Sequence, residues 1–378
     1  MKMKQKLWDS PITVQKQGDI LNHQISEQKN GRLSNAQLYD LLQNAPLKDL
    51  GAMANAKRKE MHKDNIVTFV VDRNINYTNI CWVDCDFCAF KRTLKEDDAY
   101  ILSFEVIDNK IEELLAIGGT QILFQGGVHP KLKIDYYEDL VTHIHSKYPQ
   151  ITIHGFSAIE ILYIAKVSNL SVKEVLLRLK KCGLSSIPGA GAEILTDRVR
   201  DIIAPKKLSS DEWIAVHREA HLQDIKSTAT MMFGSVDNDL DIIEHLDRVR
   251  ALQDETGGFR AFILWSFQPD FTPLKAKFPH LQKSSTNRYL RLLSASRLYL
   301  DNVKNIQSSW VTQGSHVGQL ALLFGANDFG STMMEENVVS SAGTKNTMNQ
   351  AEMIRLINDL GLRAAKRNTA YEILEHFN

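Results

Sequence analysis

Three cysteines, Cys81, Cys85 and Cys88, stand within eight residues in the run Cys81-Trp-Val-Asp-Cys85-Asp-Phe-Cys88. Thiolates at this C-x3-C-x2-C spacing can each hold one iron of a [4Fe–4S] cluster and leave the fourth iron without a protein ligand. An iron left open is a place for chemistry, as an open coordination position is in catalytic zinc sites. The competing structures are a zinc knuckle and a disulfide pair. A closed zinc site needs a fourth ligand, usually from a second Cys or His pair at short spacing. The remaining cysteine, Cys182, is far downstream, and no His pair follows Cys88 closely. The spacing favours the cluster.

Such a loop needs a rigid mount. Apolar, β-branched runs at residues 67–71, 120–124, 151–155, 184–187, 227–232, 261–265, 306–310 and 319–324 read as strands. Amphipathic segments at 107–117, 172–182, 211–223, 240–253 and 285–298 read as helices. Alternating strand and helix implies parallel strands with right-handed crossovers. Eight such units make an α/β fold, a (β/α)8 TIM-type barrel of about 250 residues. Residues 67–330 fit that size. Residues 31–66 are expected to add helices before the barrel, and residues 331–378 a helical region after it. Residues 1–30 form a variable N-terminal extension. No repeat of solenoid period and no low-complexity linker interrupts the chain.

Reactive groups in such barrels sit at the C-terminal ends of the strands and in the loops that follow. The cysteine loop follows the first strand, Gln125-Gly126-Gly127 the second, and Ser157 with Glu160 the third. Pro188 and Glu193 bracket the loop after the fourth, and Phe233-Gly234 ends the fifth. Trp265 and Pro269 mark the sixth, Thr312-Gln313-Gly314 the seventh, and Asn327 and Asp328 the eighth. Packing alone does not gather glycines and polar residues on one rim, so the rim is the expected site. Several of these residues also fit local roles. Gly126 and Gly127 suit a turn with positive φ, Glu193 a helix start favoured by the macrodipole, and Ser157 with Glu160 a capping box. Cys182 ends an apolar helical face and reads as a small buried hydrophobe. Lys206 and Lys207 read as solvated charges.

Composition narrows the setting. The 378 residues carry 45 Lys plus Arg and 45 Asp plus Glu, so no net basic field attracts nucleic acid or anionic lipid. No apolar stretch reaches the ~18 residues of a membrane span, and the polar N-terminus lacks a secretory apolar core. Four cysteines are no disulfide framework, and a clustered trio reads as metal binding in a reducing compartment. The expected location is the cytoplasm, with no nucleic-acid or membrane partner.

With the aromatic Phe87 before its last cysteine, the cluster run resembles that of the radical S-adenosylmethionine (SAM) superfamily. Residues 71–81 and 88–90, Gly118-Gly-Thr-Gln-Ile-Leu-Phe-Gln-Gly-Gly127 and Ser227-Thr-Ala-Thr-Met-Met-Phe-Gly234 are similar to its branch handling menaquinone and deazaflavin precursors. Residues 252–259 and 267–269, Ser309-Trp-Val-Thr-Gln-Gly314 and Asn327-Asp-Phe-Gly-Ser-Thr-Met-Met-Glu-Glu-Asn337 are most similar to the menaquinone members. The similarity covers residues 31–362, with Ala190 where a glycine is expected.

The resemblance implies an enzyme with a [4Fe–4S] cluster on Cys81, Cys85 and Cys88, and SAM on the open iron. An electron from the cluster would cleave SAM to a 5′-deoxyadenosyl radical. SAM contacts are implied for Phe87, Gln125, Gly126, Gly127, Ser157, Glu160, Glu193 and Arg198. The implied substrate is dehypoxanthinylfutalosine, a meta-substituted benzoate tethered to a ribose that has lost its base. Hydrogen would leave ribose C4′ and that carbon would join the ring. Tyr77, Asn79, His129, Gln313, Asn327 and Asp328 are then expected to touch substrate, while Arg73 braces the barrel. The base is open among His129, Asp328, Glu335 and the substrate's own carboxylate. A flavodoxin or ferredoxin is the implied electron donor. Aminofutalosine synthase and the deazaflavin synthase subunit are rival readings within the branch. A non-catalytic iron–sulfur or metal-binding protein and a [4Fe–4S] hydrolyase, whose open iron acts as a Lewis acid, are rivals outside it.

Overall fold

The structure is a computed structural model and describes residues 31–377; residues 1–30, with the expected extension, lie outside the described residues. Its strands are β1 (Ile66–Val70), β2 (Asp72–Ile75), β3 (Gln121–Phe124), β4 (Thr152–Gly155), β5 (Leu184–Ile187) and β6 (Lys226–Phe233). They continue with β7 (Phe259–Ser266), β8 (Asn305–Gln307), β9 (Asp328–Ser331), β10 (Arg363–Arg367) and β11 (Ile373–Phe377). The sheet order is β11-β10-β1-β9-β8-β7-β6-β5-β4-β3-β2. Val71 alone separates β1 from β2. β1 pairs with β9, with Phe69 opposite Gly330, and β2 pairs with β3, with Asp72 opposite Gln121. One nearly continuous extended segment therefore meets both ends of the β3-to-β9 sheet and curls it into the TIM-type α/β barrel. Backbone bonds from Thr332 N to Val70 O (3.0 Å) and from Met334 N to Asp72 O (3.3 Å) extend that seam.

The crossover helices start and stop where their sequence says. Helix Val172–Cys182 is opened by a Ser171–Glu174 capping box and closed by Gly183 at φ 120°. Its Val175, Leu176 and Leu179 are fully buried, each worth about 1.5–3 kcal/mol relative to exposure. Before the barrel stand helices Asn35–Asn44 and Leu47–Met61. The second brings Gly51 so close to the Phe324 ring that a Cβ would lie 2.5 Å from it.

Three expectations differ. Residues 319–324 are not the eighth strand: helix Ser315–Ala321 covers their start, and β9 begins only at Asp328. The run is built of Ala and Leu, good helix formers, while β9 is a polar Asp-Phe-Gly-Ser segment without strand periodicity. The seventh strand ends at Gln307, and Trp310 opens the short helix Trp310–Gln313. Among the described residues, the region after the barrel has one 3-10 turn at Ser340–Ala342 and one α-helix at Gln350–Asn358; Gly361 at φ 68° follows, and the chain returns as the antiparallel pair β10–β11.

That pair closes the barrel floor, the end where the strands begin. β10 lies parallel to β1, with Val67 opposite Ala364. Arg367 forms a fully buried ion pair with Asp328 (Nε–Oδ2 2.5 Å, Nη2–Oδ1 3.0 Å), and its guanidinium carbon lies 3.8 Å from the Tyr371 ring centroid. The Thr369 hydroxyl donates to Gln121 Oε1 at 2.6 Å.

Candidate functional site

A cavity of about 400 Å³ runs down the barrel. Cys81, Cys85, Phe87 and Cys88 line its mouth, together with Gln125, Gly126, Gly127, Ser157, Glu160 and Glu193. Leu123, Ile263, Trp265, Trp310 and Met333 line its middle, and Arg260, Arg367, Thr369 and Tyr371 its floor.

The cysteine loop is tied down on several sides. Cys81 N donates to Arg92 O (2.9 Å), Trp82 N to Val128 O (3.1 Å) and Asp86 N to Ile203 O (2.8 Å), while Asp86 O accepts from Leu274 N (2.7 Å). Asp84 takes φ 58°, a conformation an Asp tolerates. All four cysteines are free thiols. Burial pushes the Cys85 thiol up to about 12 and raises Cys88 as well. Coordination to a cation is what turns such a thiol into a thiolate. Among the described residues no three His, Cys, Asp or Glu side chains gather as the ligands of one ion do, whereas a cubane asks each thiolate for a different iron. Three thiols on one cavity wall therefore fit a [4Fe–4S] cluster with one iron free of protein.

Beside them, Gly126 and Gly127 are required by close approach and not by positive φ, which neither adopts. A Cβ on Gly126 would lie 2.7 Å from the Tyr77 ring, and one on Gly127 2.3 Å from Ile80 O. Glu160 holds this loop from behind. Its Oε1 accepts from the Tyr77 hydroxyl (2.5 Å) and Gly126 N (3.0 Å), and its Oε2 from Ser157 N (2.7 Å) and Oγ (2.6 Å). Burial raises the Glu160 carboxyl despite these donors. The capping box is made, so Ser157 and Glu160 direct their polar atoms at one another and at the glycine loop.

Glu193, at φ 43°, forms an ion pair with Lys207. Lys207 is not a solvated charge: its side chain is only 9% exposed, and Nζ lies 5.2 Å from the Phe87 ring centroid. Burial would lower its ammonium pKa, but the fields of Glu193 and Cys85 outweigh it and hold the group above its ordinary value. No spacing signal distinguishes it from the exposed Lys206.

Other expected contacts lie elsewhere. Arg198 is half exposed, pairs with Asp241 and donates to Val236 O, off the cavity wall. Tyr77 sits behind the glycine loop. His129 is buried away from the wall, its Nδ1 accepting from Lys131 N (3.1 Å), and burial lowers its pKa. Gln313 donates to Ser266 Oγ (2.6 Å). Asn327 and Asp328 are at the floor, since β9 starts there; Asn327 Oδ1 accepts from Arg297 (2.6 Å), and Asp328 holds Arg367. Glu335 is tied to Lys110 and Arg73, and Arg73 also reaches Glu113, so that arginine is a brace. Of the expected substrate contacts, Asn79 lies on the cavity wall, where it bonds Tyr100 N and Asp98 O. Sequence reasoning missed Lys207, Arg260, the β10–β11 floor and His154. His154 faces Ser186 Oγ at 2.7 Å inside the barrel and is pushed down to about 3 by burial.

No helix among the described residues is long and apolar enough to cross a membrane. Comparison with known proteins places two family matches end to end: the radical SAM superfamily over residues 75–249 and the CofH/MqnC C-terminal region over residues 256–378. The chain is 45% identical to the cyclic dehypoxanthine futalosine synthase of Halalkalibacterium halodurans, covering 92% of each chain. It is 41% identical to the 5-amino-6-(D-ribitylamino)uracil–L-tyrosine 4-hydroxyphenyl transferase of Methanococcoides burtonii, covering 85% of this chain and 91% of that one. Among solved structures, methylornithine synthase superposes with a TM-score of 0.69 at 18% identity, covering 92% of this chain and 97% of that one, a likeness of fold.

Proposed function

The chain belongs to the radical SAM superfamily, in the branch of the cyclic dehypoxanthine futalosine synthases, and from that membership we infer that it cyclises dehypoxanthinylfutalosine on the route to menaquinone. The observation that carries this reading is one cavity whose mouth holds the three thiols, the glycine loop and the Glu193–Lys207 pair. When bound there, a [4Fe–4S] cluster and SAM would supply a 5′-deoxyadenosyl radical that takes hydrogen from ribose C4′, so that this carbon can join the benzoate ring, which then gives up one electron to a one-electron acceptor and one proton to a base.

The chain's own residues do the rest. Cys81, Cys85 and Cys88 hold the irons. Gly126 and Gly127 let the loop pack against the Tyr77 ring and Ile80 O, and that placement presents a backbone carbonyl to the SAM ammonium. Glu193 accepts hydrogen bonds from the SAM ribose or ammonium, and its ion pair with Lys207 holds that carboxylate in place. Phe87 and Gln125 complete the wall beside them. The apolar band of Ile263, Trp265 and Met333 and the closed floor exclude water and hold the two reacting carbons together, which replaces a costly search. A flavodoxin or ferredoxin serves as reductant. The enzyme works in the cytoplasm, where its thiols stay reduced.

The test is anaerobic turnover of reduced enzyme with SAM and dehypoxanthinylfutalosine, products read by mass spectrometry. Deuterium at C4′ should move into 5′-deoxyadenosine, and the cyclised product should lack it. Unlabelled 5′-deoxyadenosine beside normal product would refute C4′ as the abstraction site. The 41% relative makes a 4-hydroxyphenyl transfer the second reading. Product from tyrosine and 5-amino-6-(D-ribitylamino)uracil, with none from dehypoxanthinylfutalosine, would establish it instead.

A further inference from the structure

Four cations line the cavity: Lys91, Lys207, Arg260 and Arg367. Three have carboxylate partners, Lys91 with Asp84, Lys207 with Glu193 and Arg367 with Asp328. Arg260 forms no ion pair with any described residue. Among the described residues its side chain makes one hydrogen bond, from Nη1 to Thr369 O, and that bond is long at 3.4 Å. A guanidinium carries five N–H donors in a fixed fork, so most of this one's donors are uncommitted. Arg260 also borders a second space outside the floor, but its charge reaches inward, since it helps depress the buried His154.

Position adds the second half of the argument. Arg260 stands at the start of β7, the end of the barrel opposite the cysteine loop. Further along the same strand, Ile263 and Trp265 line the cavity, roughly 10 and 17 Å up at the rise of an extended chain. From floor to mouth the wall therefore reads guanidinium, apolar band, thiols. An elongated anion with a flat ring between its charge and its reacting end matches that sequence.

We infer that Arg260 is the anchor for the carboxylate of an aryl carboxylate substrate, which lies with its carboxylate at the floor, its ring against Ile263 and Trp265, and its sugar toward the cysteine loop. The identity of that substrate rests on the reading above; the charge recognition does not. Bidentate guanidinium–carboxylate pairing in a dry site is strong and geometrically demanding.

The probes are 3-acetylbenzoate and 3-acetylbenzamide, which share ring and ketone and differ in charge. Binding to the cluster-loaded protein is measured by calorimetry, with no turnover required. Wild-type protein should prefer the acid by about tenfold or more. Arg260→Met should abolish the preference while SAM affinity and iron content stay unchanged, and Arg260→Lys should restore part of it. Equal binding of acid and amide by the wild type would overturn the inference without any variant. An Arg260→Met protein that keeps the preference would overturn it too, and Arg260→Gln decides the point if the Met variant does not fold. Failure of the wild type to convert dehypoxanthinylfutalosine would sink the functional reading and leave the acid–amide comparison standing.

Discussion

The Tyr77 hydroxyl donates to Glu160 Oε1 at 2.5 Å, and the same oxygen takes the amide of Gly126 at 3.0 Å. Through that shared oxygen a buried tyrosine sets the conformation of the glycine loop. Tyr77→Phe should cost about 1–3 kcal/mol of stability, because Glu160 keeps its burial and loses a donor. SAM affinity should fall by up to about tenfold, with the three thiols still able to load iron. Calorimetry with SAM on the reconstituted variant checks this; unchanged affinity would return Tyr77 to a packing role.

The Glu193–Lys207 pair is buried, so breaking it leaves an uncompensated charge. Lys207→Met and Glu193→Gln should each destabilise by about 3–5 kcal/mol. The double variant should be more stable than either single one. Urea unfolding of all four proteins measures the coupling, and additive losses would mean that the two residues do not act as a pair.

Cluster loading should depend on three cysteines and ignore the fourth. Anaerobic reconstitution of wild type should give about four irons per chain, and Ala at Cys81, Cys85 or Cys88 should remove SAM cleavage. Cys182, partly buried at the end of its helix, should be replaceable by Ala with iron content and visible absorbance intact. SAM cleavage by a Cys85→Ala protein would overturn the ligand assignment.

Asp72 gives a pH signature. Burial raises its carboxyl to about 6, against the hydrogen bonds from Ser331 and Gln121 and the field of Arg367. The folded state therefore holds this proton more tightly than the unfolded chain does. Its stabilising contribution is fully present below about pH 4 and is lost as pH rises through about 6, at most about 3 kcal/mol in all. Asp72→Asn should remove that slope. Urea unfolding of variant and wild type at pH 4.5 and 7.5 (conditions about either side of the transition) reads the difference directly, and parallel pH dependences would contradict the shift.

The barrel was legible because periodicity reports burial, and strands such as β1, β3 and β7 announced themselves as apolar runs. β9 did not. Asp-Phe-Gly-Ser is held in the sheet by tertiary partners, with Asp328 on Arg367 and Ser331 on Asp72, and no local pattern announces that. Misplacing this strand by a few residues moved Asn327 and Asp328 from floor to rim. The mouth read better, because close approach demands glycine at Gly126 and Gly127, and metal chemistry demands cysteine. Lys207 and Arg260 carried no signal, since a buried lysine and a solvated one look alike in sequence.

The floor hairpin has a consequence for how the molecule assembles. Thr68 meets Asp328 across 260 residues of chain, and Arg363 reaches the Asp64 carbonyl across 299. Contacts of such sequence separation require the closure of very long loops before any stabilisation returns, and they form slowly. The β3-to-β7 arc, built from neighbouring units, can organise first. The barrel is then an open trough until β1 finds both β9 and β10, and its interior stays wet until that moment. A protease pulse during refolding should accordingly cut near Val71 and before β10 while the central arc is already resistant. Floor and seam are one kinetic event, so an enclosed reaction chamber is the last property this protein acquires.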